Sequence, residues 1–312
     1  MHKGDLAKIK VAFASIPKDS GTFTFYRNIS VELKNYNIDM YCVSVGRREA
    51  ELWDEAYADE NCVLLAPKTR GLKAQAKAFS NWVDQQNINI VFGINSSPIL
   101  SSLRHLSANV HVLSRCANGF DHGYKITLSG GKRLEKIVAL TPKLEKDLTE
   151  VYKAQKSLIK LIPNGINPEI FAEARQQKRG NNIELALCFI GRLEHNQKGV
   201  MHLPNILLEL EKLDINYKLR VAGKGKDREK LEQSFIAEGL IKNVEFIGAL
   251  KADEIPAFMA KQDILLFTSH FEGCPNTLLE AKMAGLLPVA WLIEGTTDFI
   301  INHGETGYVF PT

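Results

Sequence analysis

The sequence predicts an α/β protein made of two doubly wound, Rossmann-like domains with parallel sheets. Short apolar runs alternate with amphipathic helical patterns almost throughout, which is how a parallel sheet flanked by helices reads. The chain has 312 residues, a length that suits two domains. Its 45% apolar and 24% charged residues are those of an ordinary globular protein, which excludes disordered, collagen-like and mucin-like classes.

The elements follow in order. In the first half the strand-like runs are IKVAFASI (9–16), IDMYCVSV (38–45), CVLLAP (62–67), INIVFGIN (88–95), VHVLSR (110–115), KIVALTP (136–142) and LIKLIP (158–163). Stretches such as FYRNISVELKN (25–35) and KAQAKAFSNWVDQQ (73–86) between them carry apolar residues at helical spacing. PNGINPEIF (163–171) then breaks the pattern with Pro163, Gly165 and Pro168, and the polar segment ARQQKRGNN (174–182) follows. The boundary is expected there, with one domain over 1–165 and a second over 166–312. The count restarts with strands at ELALCFIG (184–191), YKLRVAG (217–223), VEFIGA (244–249), DILLFTS (263–269), LPVAWLI (287–293) and GYVF (307–310). Helical patterns at 199–213, 227–238, 253–261 and 276–285 separate the first five. In such sheets ligands bind outside the carboxyl ends of strands, so function is expected in the loops after strands and in a cleft between the domains.

The longest apolar run, Leu286 to Ile293, is too short to span a bilayer, and the N-terminal apolar stretch is strand-length and ends at Pro17. Five scattered cysteines (Cys42, Cys62, Cys116, Cys188 and Cys274) form no C-x-x-C pair, which disfavours structural zinc and a disulfide framework and points to a reducing cytoplasm. Net charge is +3, yet residues 1–165 carry 23 Lys/Arg against 16 Asp/Glu. That surplus suits an anionic membrane surface, a phosphorylated acceptor or nucleic acid; it also suits a merely solvated surface. The basic residues form no aromatic-interleaved stripe, which disfavours nucleic acid.

Three segments hold candidate chemistry. GRLEHNQKG (191–199) joins a strand to a helix and offers Arg192, a bidentate fork, and Lys198, a point charge, as a way to hold two phosphates. VAGKGKDREKLE (221–232) has Gly223-x-Gly225 before a helix opened by Asp227; Arg228 stands where a dinucleotide fingerprint needs glycine, so a nicotinamide enzyme is disfavoured. The remaining reading is a tight turn that lets backbone approach a ligand, or one used only structurally. SHFEGCPNTLLEAKMAG (269–285) places Glu272 in a loop, Asn276 as a plausible N-cap, and Glu280 one turn inside the helix. The helix start suits an anion, and the two glutamates can accept hydrogen bonds from sugar hydroxyls beside it. Alternatively, both acids simply complement the helix dipole.

PNGI (163–166), GRL…KG (191–199), AGKG (222–225), VEFIG (244–248), DILLFTSHFEG (263–273), LLEAKMAGLLPVA (278–290) and GETGYVF (304–310) occur in this order. Together they closely resemble the retaining glycosyltransferases of family 4, the glycosyl transferases group 1 with the GT-B fold. The resemblance is close over the second half and loose over the first. It implies a nucleotide-diphosphate sugar as donor and no metal or other cofactor, in keeping with the lack of an Asp-x-Asp signature. It implies that Arg192 and Lys198 neutralise the donor diphosphate, that Glu272 contacts the donor sugar near the reaction centre, and that Glu280 binds the ribose. These make Glu272, Arg192 and Lys198 the expected catalytic residues. Gly191, Gly223 and the backbone of Gly273, Cys274, Pro275, Asn276, Thr277 and Leu278 would line the donor, with Gly21 in SGTFTF (20–25) approaching the diphosphate from the other domain.

Family members often carry a functional histidine in the loop after the fifth strand. Here that loop reads SRCANGFDHGYK (114–125), which makes Arg115, Asp121 and His122 the acceptor-side candidates. The acceptor itself, whether glycan, lipid or small molecule, is unspecified. The cysteine pattern leads to the expectation of a cytoplasmic enzyme, peripheral to the inner membrane face if the basic half meets anionic lipid. Members usually continue past GETGYVF with further helices, so the second domain is expected to be incomplete at its C-terminal end. The rivals are a non-catalytic nucleotide-sugar-binding module and a nucleotide-sugar epimerase of the same fold.

Overall fold

The computed structural model describes residues 8–18, 20–93, 96–176 and 184–312. The chain divides into two compact units, Met1–Gly165 and Ile166–Thr312.

The first unit runs β1 (Ile9–Ala14), α1 (Gly21–Lys34), β2 (Ile38–Val45), α2 (Arg47–Ala50), β3 (Cys62–Leu65), α3 (Leu72–Gln86) and β4 (Ile90–Phe92). It continues through α4 (Ser97–Ser102), β5 (His111–Cys116), α5 (Asp121–Leu128), β6 (Leu134–Ala139), α6 (Pro142–Glu150) and β7 (Ile159–Leu161). Its seven strands are ordered β3-β2-β1-β4-β5-β6-β7, all parallel neighbours. The order reverses between β1 and β4, so the loops after those two strands part there. Val11 and Phe13 of β1 pack with Phe23 and Tyr26 of α1 and with Met40 and Cys42 of β2. Local chemistry sets the helix starts. Ser20 caps α1 by accepting from the Phe23 N–H at 3.2 Å. Thr141 caps α6 ahead of Pro142, so β6 stops at Ala139 rather than running on to the proline.

The second unit runs α7 (Pro168–Gln176), β8 (Leu185–Ile190), α8 (His195–Lys198), α9 (Leu203–Lys212), β9 (Tyr217–Ala222), α10 (Arg228–Ala237) and β10 (Val244–Gly248). It continues through α11 (Ile255–Met259), β11 (Ile264–Phe267), α12 (Asn276–Ala284), β12 (Leu287–Trp291), α13 (Thr297–Ile300) and β13 (Tyr308–Phe310). The order β10-β9-β8-β11-β12-β13 is again wholly parallel, and its reversal falls between β8 and β11. Side chains of a strand alternate between faces, and the two cores follow that rule. Leu187, Phe189 and Leu266 join Leu203, Leu207 and Phe235 on one face. Cys188, Leu265 and Phe267 join Leu278 and Ala281 on the other. Helix α7 packs on α11 and α12, so PEIFAEA belongs to the second unit, and the polar segment after it lies mostly outside the described residues. No helix among the described residues is long and apolar enough to cross a membrane.

Two expectations are corrected. DHGYKITL is helical, so Asp121 and His122 open α5 rather than lie in a loop. Gly123 hides that helix from sequence reading, yet it is required, because a Cβ there would sit 2.7 Å from Asn118 Cβ. Asn276 is the first residue of α12, not its cap; the extended residue before the helix is Pro275 (φ −76°, ψ 100°), whose ring sets its φ.

Candidate functional site

Three strand-end loops of the second unit are laced together at the switch point of its sheet. The loop after β8 is tied to the loop after β9 by Gly191 N–H to Ala222 O (3.0 Å), Leu193 N–H to Lys224 O (2.9 Å) and Asp227 N–H to Leu193 O (3.0 Å). The Asp227 carboxylate accepts from the His195 N–H at 2.7 Å and thereby fixes the start of α8. These contacts explain the glycines. A Cβ on Gly223, whose φ is +148°, would lie 1.9 Å from Gly191 O, and one on Gly225 would lie 2.2 Å from Leu193 O. The backbone that the Gly223-x-Gly225 turn admits includes the chain's own, which accounts for the structural use of both glycines.

The loop after β11 closes the other side. Its Thr268 Oγ1 donates to Lys198 O at 2.8 Å and its His270 N–H donates to Gln197 O at 2.8 Å. Gly199 (φ +61°) lets the two strands' loops touch, since a Cβ there would be 2.0 Å from Thr268 O. This lacing brings Lys198 Nζ to 2.6 Å from Glu272 Oε1, with side-chain exposures of 17% and 9%. The ammonium also lies 5.9 Å from the centre of the Phe267 ring. Sequence reading expected Lys198 to act with Arg192 on one charge. In the structure Lys198 is paired with Glu272, and Arg192 is 64% exposed and reaches Glu194 Oε2 at 3.5 Å. The reason is topological: β8 and β11 are sheet neighbours, so their following loops meet.

Helix α12 begins just beyond Glu272, and its first N–H groups have no intrahelical acceptor. Gly273 is buried and Cys274 and Thr277 are half-buried around this start, while Leu278, Ala281 and Ala284 bury the opposite face. Glu280 is half-buried with no ion-pair or hydrogen-bond partner among the described residues. Burial alone raises its carboxyl to about 7. A buried carboxyl without a donor is costly to ionise, and a ligand supplying hydroxyl groups would remove that cost.

In the first unit Gly21 opens α1, and a Cβ there meets nothing within 4 Å. Arg115 stacks on Phe25 at 4.1 Å and donates to Asn164 Oδ1 at 2.9 Å. Arg115 and His122 line one cavity of about 80 Å³. His122 also borders an open pocket of about 860 Å³ with Arg47, Arg48, Arg70, Glu49 and Gln75, none of which the sequence singled out. Asp121 lines neither. It sits exposed, paired with Lys125 at 2.6 Å and with Tyr152 Oη at 3.0 Å, and those two partners hold its carboxyl below the usual aspartate range.

Sequence reading also missed three histidines. His195, His202 and His270 bring one ring nitrogen each within 4.8 Å of one another. His195 opens α8, His202 ends the 3-10 turn after it, and His270 lies in the loop after β11; these segments are adjacent because β8 and β11 pair, so no sequence spacing announces them.

Residues 171–312 match the family described as "Glycosyl transferases group 1". The chain is 28% identical over 177 residues to 2-deoxystreptamine glucosyltransferase of Streptomyces kanamyceticus, a match covering 54% of this chain and 46% of that protein. The chain thus spans less than half the length of this curated relative. The fold is similar to a glycosyltransferase from Rickettsia africae ESF-5 (TM-score 0.76, 17% identity, 98% of this chain and 85% of that one). It is also similar to HepE of Anabaena in complex with UDP (TM-score 0.74, 16% identity, 98% and 86%). Residues 171–312 of the second unit are thus similar to the glycosyl transferases group 1, and the chain's two Rossmann-like units have the fold of the solved GT-B glycosyltransferases it resembles.

Proposed function

We propose that the protein is a retaining glycosyltransferase of family 4 that uses a nucleoside-diphosphate sugar, bound by its second unit, as donor. The observation that carries this reading is the Lys198–Glu272 pair, held at 2.6 Å beside the start of α12 at the sheet's switch point, with the unpartnered Glu280 one turn further on. A fixed ammonium and a helix N-terminus suit the diphosphate. Glu280 suits the ribose, and Glu272 suits a hydroxyl of the sugar. The group 1 match over this unit supports the assignment, as does the UDP bound to the similarly folded HepE.

Departure of a nucleoside diphosphate builds negative charge on the β-phosphate. Lys198, Arg192 and the α12 N-terminus meet that charge better in the transition state than in the ground state, which is what accelerates the step. Charge neutralisation is assigned to these groups rather than to a divalent ion. Retention follows from front-face attack, with the leaving phosphate taking the acceptor's proton. The acceptor is assigned to the first unit, at the pocket bordered by His122, Arg47, Arg48 and Arg70. The basic surplus of residues 1–165 supports a cytoplasmic protein peripheral to an anionic membrane.

A thermal-shift screen across nucleoside diphosphates and their sugars tests the reading. A ligand at 100 times its dissociation constant stabilises the fold by about 2.7 kcal/mol. The expected result is stabilisation by one nucleoside diphosphate, and by its sugar conjugate, but not by monophosphates or dinucleotides. Equal indifference to every diphosphate would refute the donor assignment.

A further inference from the structure

His270 lies on the loop after β11, with its Nδ1 3.2 Å from Asn196 O. A carbonyl only accepts, so Nδ1 carries the hydrogen and Nε2 holds a lone pair. That lone pair meets His202 Nε2 at 2.9 Å. His195 has its own lone pair at Nδ1, where the Met201 N–H donates at 3.3 Å. The His270 ring stands edge to face with those of His195 and His202, which are tilted at 59° to each other, and all three centroids lie 5.2–5.3 Å apart. His202 also rests against Trp291, at 5.9 Å between ring centroids. The imidazole nitrogens engage one another and the backbone, not Lys198 or Glu272.

We propose that His195, His202 and His270 form a site for a divalent transition-metal ion of the zinc class. Three imidazoles with no carboxylate among them suit zinc, nickel, copper or cobalt rather than magnesium or calcium. Tetrahedral coordination at the usual Zn–N length puts ligand nitrogens about 3.3 Å apart. The His202–His270 contact need open only slightly to reach that spacing, with the His202 hydrogen leaving Nε2 for Nδ1 through solvent as the ion binds, and the third nitrogen closes from within 4.8 Å. The bond from His270 to Asn196 O already supplies the backbone acceptor that orients metal-binding histidines. Three protein ligands leave a fourth position to water.

The site has a mechanical consequence. His195 and His202 bracket Lys198 in sequence, and His270 lies two residues before Glu272. A bound ion therefore clips together the two loops that also carry the Lys198–Glu272 pair. It stiffens that pair's setting without taking part in it, and the inference does not depend on what the second unit binds.

The test titrates chelator-treated full chain with Co²⁺ as the spectroscopic probe, followed by displacement with Zn²⁺. One equivalent should bind, with the visible bands of nitrogen-ligated tetrahedral cobalt, loss of those bands on adding zinc, and a higher melting temperature in either metal. His202→Gln and His270→Gln should each weaken binding at least tenfold. His105→Gln and His111→Gln, on exposed histidines of the first unit, should leave it unchanged. No stoichiometric binding to the folded wild-type chain at micromolar metal overturns the proposal. So does binding that survives both His202→Gln and His270→Gln. Failure of the nucleotide screen leaves this result untouched.

Discussion

Replacing Glu280 by glutamine isolates the cost of its buried charge. The carboxyl titrates near 7 in the fold instead of at its ordinary 4.5, through burial alone. A carboxyl raised in the folded state favours folding most when protonated. Its contribution is therefore intact below pH 4.5 and is lost progressively as pH rises to about 7. Each unit of displacement corresponds to about 1.4 kcal/mol, so at pH 8 the ionised side chain destabilises the protein by on the order of 3 kcal/mol. Glu280→Gln keeps the shape and cannot ionise. It should leave the melting temperature near pH 5 almost unchanged and raise it at pH 8 by about 6–12 °C, at the 2–4 °C per kcal/mol usual for this size. The assay is a calorimetric melt of both proteins at half-unit pH steps. Parallel pH profiles for wild type and variant would refute the burial argument. The same carboxylate should accept ribose hydroxyls, so wild-type affinity for the preferred nucleoside diphosphate should rise between pH 6 and 8 more steeply than that of Glu280→Gln. Equal slopes by titration calorimetry would remove Glu280 from the nucleotide site.

Other predictions concern the same loops. Lys198→Ala strands the Glu272 carboxylate and should cost roughly 2–4 kcal/mol in a denaturant melt, with part of the loss recovered in the Lys198→Ala/Glu272→Ala double variant. Strictly additive losses would show that the pair is not coupled. Arg192→Ala, at an exposed side chain, should stay within about 0.5 kcal/mol of wild-type stability yet slow sugar transfer about a hundredfold; unchanged diphosphate affinity by calorimetry would remove its phosphate role. Gly225→Ala should destabilise by at least about 2 kcal/mol because its Cβ meets backbone, whereas Gly21→Ala should be neutral or slightly stabilising. Equal melting temperatures for these two variants would contradict the loop lacing.

The alternation of apolar strands with amphipathic helices was enough, by itself, to determine two parallel α/β sheets. Burial on both faces of a parallel strand demands that pattern wherever the strand lies. The pairing of strand ends with the GRLEHNQKG and SHFEGCPNT segments was equally legible, because loops after strands follow the strands in sequence. What pairs with what was not legible. Lys198 lies between Arg192 and Glu272 in sequence, and only the β8–β11 neighbourhood settles that its ammonium meets the glutamate. The same neighbourhood gathers His195, His202 and His270. The β8–β9 pairing likewise sets Gly223 and Gly225 at the seam between two loops. Helix α5 escaped notice because Gly123 weakens its local signal, and a tight contact with Asn118 demands glycine there. Periodicity and capping are local properties written along the chain. Charge pairing, burial of Glu280 and convergence of imidazoles depend on distances between segments far apart in sequence, and those exist only once the sheet order has been chosen.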